Sequence, residues 1–106
     1  MNQTAENFEK LLAQGQDSAL LRYSLGNAYL DSNPKLAAEH LEKALEFDAE
    51  YSAAWKLLGK AQTAAGDSSA AIAAYESGIK VAEQKGDVQA GKEMRVFLKR
   101  LQKSGS

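Results

Sequence analysis

Two stretches of this chain carry the same pattern 33 residues apart. Leu25-Gly26-Asn27-Ala28 matches Leu58-Gly59-Lys60-Ala61. Further along, Ala37 matches Ala71, Leu41 matches Tyr75 and Ala44 matches Gly78, now at an offset of 34. A fixed period near 34 with helical spacing inside each unit marks a stack of helix pairs. Each pair buries its apolar face only against its neighbours, so the repeat dictates an elongated all-α array.

With 106 residues the chain makes one domain, 1–106. It buries roughly 65% of its unfolded surface, enough for a core without staples. There is no cysteine, so neither a disulfide framework nor a thiolate metal site is available. The polar start MNQTAENFEK has no apolar leader, and no run approaches the ~18 apolar residues of a membrane span. A cytoplasmic location without membrane insertion is expected. Net charge is −1, unevenly spread. Residues 1–91 hold 13 acids and 8 bases, or −5, whereas 92–106 hold five bases and one acid, or +4.

Six antiparallel helices are expected, at about 4–14, 18–31, 34–47, 52–65, 68–84 and 88–102. Gly15 with Asp17, Gly66 with Asp67, and Gly86 with Asp87 mark three breaks. Glycine takes the left-handed helix end cheaply, and aspartate accepts from the open amides of the next start. Asn33-Pro34 marks another start, with Asn as cap and Pro first in the helix. Leu21, Leu25 and Ala28 make one face of the second helix, and Ala54, Leu58 and Ala61 repeat it on the fourth. Ile72, Tyr75, Ile79 and Ala82 line the fifth, and Met94, Phe97, Leu98 and Leu101 the last. Gly26 is expected to face Ala37, and Gly59 to face Ala71, letting two backbones approach. A glycine inside a helix costs roughly 1 kcal/mol against alanine, so two at equivalent places imply a steric need.

These residues resemble the tetratricopeptide repeat, whose unit reads W-x2-L-G-x2-Y, then A-x3-F, then A and P. Residues 52–85 give Trp55, Leu58, Gly59, Ala71, Tyr75 and Gly78, with Gln62 in place of the aromatic. Residues 19–51 give Leu25, Gly26, Tyr29, Ala37, Leu41 and Ala44, with Arg22 in place of the Trp and Ala49 in place of the Pro. Residues 4–18 resemble the second helix of a preceding unit, with Phe8 and Leu11 in register. Residues 87–103 resemble a closing amphipathic helix, and 104–106 a disordered tail. The whole chain is similar to small stand-alone bacterial proteins of this family. The resemblance implies a right-handed α-solenoid and a protein-interaction module whose concave groove is lined by the first helix of each pair. Carried over, that gives Leu20, Tyr23, Asn27, Leu30 and Asp31, then Ala53, Lys56, Lys60, Thr63 and Ala64.

Helical spacing groups Tyr23, Asn27 and Leu30, and likewise Lys56, Lys60 and Thr63, off the core face. Two lysines one turn apart suit a carboxylate or an acidic peptide. Some family members grip a C-terminal carboxylate with a Lys/Asn/Arg clamp over three units. Asn27 fits its Asn, but Tyr23 and Leu57 replace other polar members. The basic stretch Lys92, Arg95, Lys99, Arg100 and Lys103 reads as a solvated cap, with contact to phosphates or anionic lipid as the alternative.

Chemistry has little to work with. His40 is the single histidine, read as a surface or rim residue beside Glu39 and Glu42. Glu39, Glu42, Glu46, Asp48 and Glu50 read as a solvated face. No phosphate-loop or dinucleotide motif is present. The expectation is a non-catalytic adaptor, without cofactor or metal, binding a protein or peptide and not nucleic acid. It would be a monomer or weak homo-oligomer, with self-association through an open end where Phe8, Leu11 and Leu12 lack partners as the competing reading.

Overall fold

The computed structural model describes residues 3–104. They form α1 (Gln3–Ala13), α2 (Ala19–Tyr29), α3 (Pro34–Phe47), α4 (Ser52–Ala64), α5 (Ser68–Lys85) and α6 (Val88–Ser104), with no strand among the described residues. Every end falls within two residues of expectation. The last helix, α6, runs two residues past its expected end, through Ser104 and into the stretch read as a tail. Residues 105–106 of that tail lie outside the described residues.

The punctuation works as residue chemistry requires. Gly15, Gly66 and Gly86 all have φ between 74° and 85°, where a Cβ would be strained. Asn33, Asp67 and Asp87 each accept from the amide three residues on. Asp17 departs from the pattern. Ser18 caps α2 by accepting from the Leu21 amide, while Asp17 takes both ends of the Arg22 guanidinium at 2.8 and 2.9 Å.

The pairs α2/α3 and α4/α5 are packed through fully buried Leu25, Ala37, Leu41, Ala44, Ala54, Ala61 and Ala71. The close approach is tighter than the expected Gly–Ala facing. A Cβ on Gly26 would sit 2.5 Å from Leu41 Cγ, and one on Gly59 would overlap the Tyr75 ring. Ala37 and Ala71 are buried, but the glycines make room for Leu41 and Tyr75. Fully burying side chains such as Leu25, Leu41, Tyr75 and Met94 contributes about 1.5–3 kcal/mol each.

Two layers result. Helices α2, α4 and α6 touch in succession, whereas the outer α1, α3 and α5 do not touch one another. Inner helices closer than outer ones bend the array, so its concave side is the α2–α4–α6 side. It is a 43 × 28 × 18 Å α-solenoid. No described helix is long and apolar enough to cross a membrane.

Candidate interaction surface

The concave side is built from positions that the core pattern leaves over. On α2 these are Leu20, Tyr23 and Asn27, with Leu30 at its C-cap; on α4, Ala53, Lys56, Lys60 and Thr63; Asp31 and Ala64 end the two stripes. Leu20 is 66% exposed, and Asn27, Asp31, Thr63 and Ala64 are exposed too. Ala53, Lys56 and Lys60 are half-buried. Leu30 is half-buried and packs against the core, so it supports the surface more than it presents one. Tyr23 stacks on Tyr51 with ring centroids 5.0 Å apart, which fixes its orientation and joins α2 to the segment opening α4.

The two lysines part company. Lys56 Nζ lies 3.1 Å from Glu93 Oε1 of α6, so its charge is already met. Lys60 Nζ lies 5.1 Å from the Phe97 ring centroid, and the Arg100 guanidinium carbon lies 5.8 Å from the same centroid. Among the described residues no carboxylate pairs with Lys60 or Arg100. Two cations against one aromatic ring raise the local positive potential, and a cation over a ring keeps its N–H groups open to an anion. Beside them a cleft of about 290 Å³ is lined by Thr63, Tyr75, Phe97, Arg100, Leu101 and Ser104. Thr63 Oγ1, on the wall of this cleft, donates to the Gly59 carbonyl at 2.8 Å.

Phe97 and Arg100 therefore belong to this surface, although the sequence pattern assigned them to the core stripe and the basic cap. Arg100 follows Phe97 by three residues, and that spacing carries the signal. The basic side chains of α6 do not share one direction. Arg95 is paired with Glu83 of α5, Arg100 turns to the groove, and Lys92 and Lys99 are exposed.

His40 is not the surface residue its acidic neighbours suggested. It is 6% exposed, stacked on Tyr29 at 5.7 Å, with Nδ1 3.1 Å from Arg22 Nη1. Arginine only donates, so Nδ1 accepts and the ring proton sits on Nε2. Burial, and then the Arg22 charge, push its pKa down. The stack continues to α1, where Glu9 accepts from the Tyr29 hydroxyl at 2.8 Å and raises the pKa of that hydroxyl. This cluster ties α1, α2 and α3 together. Among the described residues no three His, Cys, Asp or Glu side chains group as a metal site. The acidic residues 39, 42, 46, 48 and 50 are all exposed, as expected.

Comparison with known proteins agrees with the helical-repeat fold. A TPR repeat-containing protein of Pseudomonas aeruginosa is 53% identical over 100 residues, covering 93% of this chain and 95% of that protein. The solution structure of a Bordetella parapertussis protein superposes with a TM-score of 0.84 at 45% identity, covering 98% of this chain and 91% of that one. No family model matches the chain.

Proposed function

This chain belongs to the tetratricopeptide-repeat family, and we propose that it is a non-catalytic adaptor that holds an acidic segment of a partner protein along its concave face. The observation that carries the reading is the pairing of Lys60 and Arg100 on the Phe97 ring beside an open cleft. An aspartate, a glutamate or a terminal carboxylate of the partner meets these cations. Tyr23 and Asn27 receive the stretch of chain that follows. A preformed helical scaffold loses little entropy on binding, so micromolar affinity, about −8 kcal/mol, is within reach of such a site. Lys56 is not a direct contact in this reading, because Glu93 holds it. A cytoplasmic site of action suits a chain without cysteine.

The test is selection of binding peptides from a random display library, followed by calorimetry on the variants. Acidic sequences should dominate. Lys60→Glu and Arg100→Glu should each weaken binding at least about tenfold, or 1.4 kcal/mol. Asn27→Ala should weaken it less. Lys43→Glu, an exposed change on α3, should leave it intact. Selection of basic or purely apolar peptides, or indifference to the charge reversals, would remove this surface from the account.

A further inference from the structure

We propose that the protein associates head to tail in solution, with α6 of one copy lying in the N-terminal cleft of a second copy. Repeat phase is the first reason. The buried Ala54, Leu58 and Ala61 of α4 recur 36 residues later as buried Ala90 and Met94 and half-buried Phe97 of α6. That makes α6 an inner helix with no outer partner among the described residues. Ala5 and Phe8 of α1 stand 33 residues before Ala38 and Leu41 of α3, which makes α1 an outer helix with no preceding inner partner among the described residues. The described residues, 3–104, thus open on one half of a pair and close on the other half. One copy's α6 set against another's α1 completes a pair of the same kind as α2/α3.

The surfaces to be covered are apolar at both ends. Phe8, Leu11, Leu20 and Leu21 line an N-terminal cleft of about 400 Å³, with Leu20 66% and Leu11 36% exposed. At the other end Val96, 48% exposed, and half-buried Leu98 line a shallow cleft on α6 with Arg95, Lys99 and Gln102. Charge agrees in sign. Residues 3–18 carry Glu6, Glu9 and Asp17 against Lys10, or −2, whereas 92–104 carry five bases against Glu93, or +4. Pairing like ends would set charges of one sign together.

The fit is looser than within a chain. The 36-residue offset puts Arg95 where α4 has Gly59, so a docked helix stops short of the close approach that Tyr75 makes over Gly59. Phe8 holds the place of Leu41, which puts the Arg95 guanidinium near an aromatic ring. Weak, salt-sensitive association follows. Because the contact is heterologous, each copy keeps one open end and growth continues along the array.

Sedimentation velocity on the full chain tests this with two variants at exposed positions, Leu20→Glu at the head and Val96→Glu at the tail. Circular dichroism checks that both fold. Wild type should sediment faster as its concentration rises toward about 1 mM and slow again in high salt. Each variant alone should stay monomeric. Their equimolar mixture should recover a dimer and no larger species, since one intact head meets one intact tail. A monomeric wild type at about 1 mM, a variant that still dimerises alone, or a mixture that stays monomeric would each overturn the proposal.

Discussion

The ring of Tyr75 rests against the backbone of Gly59 so closely that even a methyl group there would overlap it. Tyr75 is 2% exposed and stacked on Phe97 with centroids 5.8 Å apart. Gly59→Ala should therefore destabilise the fold by about 1–3 kcal/mol through overpacking, although alanine regains up to about 1 kcal/mol of helix propensity. Gly91 supplies the contrast. A Cβ there would meet Arg95 at 3.5 Å and Ala82 at 3.7 Å, ordinary contacts. Gly91→Ala should stabilise by up to about 1 kcal/mol. Urea unfolding of the two variants should move the midpoint in opposite directions, and a shift of the same sign would break the assignment.

Acid should weaken the fold through His40. Its folded pKa lies below the ordinary 6.5, so the unfolded chain binds the proton more readily. Stability rises with pH wherever the unfolded state holds more protons. The His40 contribution is fully present above pH 6.5 and declines as pH falls below it toward the lowered value. Protonation takes away the acceptor for Arg22 and sets two cations 3.1 Å apart. Chemical denaturation from pH 7.5 down to 5 should show wild type losing stability faster than His40→Gln. Parallel profiles would mean that the imidazole does not titrate against the fold.

What could be read from residues alone was periodic. The 33–34 spacing, the left-handed glycines and the Asn33, Asp67 and Asp87 caps needed only local chemistry. Gly26 was matched to Ala37, yet the structure sets it under Leu41, one turn later. Side chains on a helix lean toward its N-terminus, so the long residue four positions on covers the spot. His40 lies three residues after Ala37 and four before Ala44, both fully buried. That spacing pointed inward, but flanking Glu39 and Glu42 drew the reading outward. Nothing local could have shown that Lys56 meets Glu93, because 37 residues and a full helix hairpin separate them. The groove stripe was legible as a face; which of its charges are already answered depends on how α6 lies across α4.

That crossing makes a measurable pair. Lys56 and Glu93 keep side-chain exposures of 26% and 39%, so their coupling is partly screened by solvent. A double-mutant cycle with Lys56→Gln and Glu93→Gln should give about 0.2–1 kcal/mol, shrinking as salt is added. The two-lysine site expected from sequence requires a second consequence. Glu93→Gln releases Lys56, and peptides selected on the concave face should then bind more tightly, whereas Lys56→Gln leaves the Glu93 carboxylate unpaired beside that face and should weaken binding. Weaker peptide binding to Glu93→Gln would show that the carboxylate holds the groove in shape rather than silencing a cation.

The N-terminal helix is the least secured element. Its one fully buried side chain among the described residues is Ala5, and its neighbour is α2. The Tyr29–Glu9 hydrogen bond at 2.8 Å is its polar anchor, and the bond involves a carboxylate. Hydrogen bonds to charged groups contribute about 1.5–3 kcal/mol, less where solvent reaches them. Tyr29→Phe keeps the ring stacked on His40 and deletes only that anchor. Amide exchange across residues 5–13 should accelerate in this variant, while the amides of α4 keep their wild-type rates, since local opening follows local contact density. Equal acceleration in α1 and α4 would mean that the hydroxyl supports the whole array, and unchanged exchange in α1 would mean that Phe8 and Ala5 hold the helix without it.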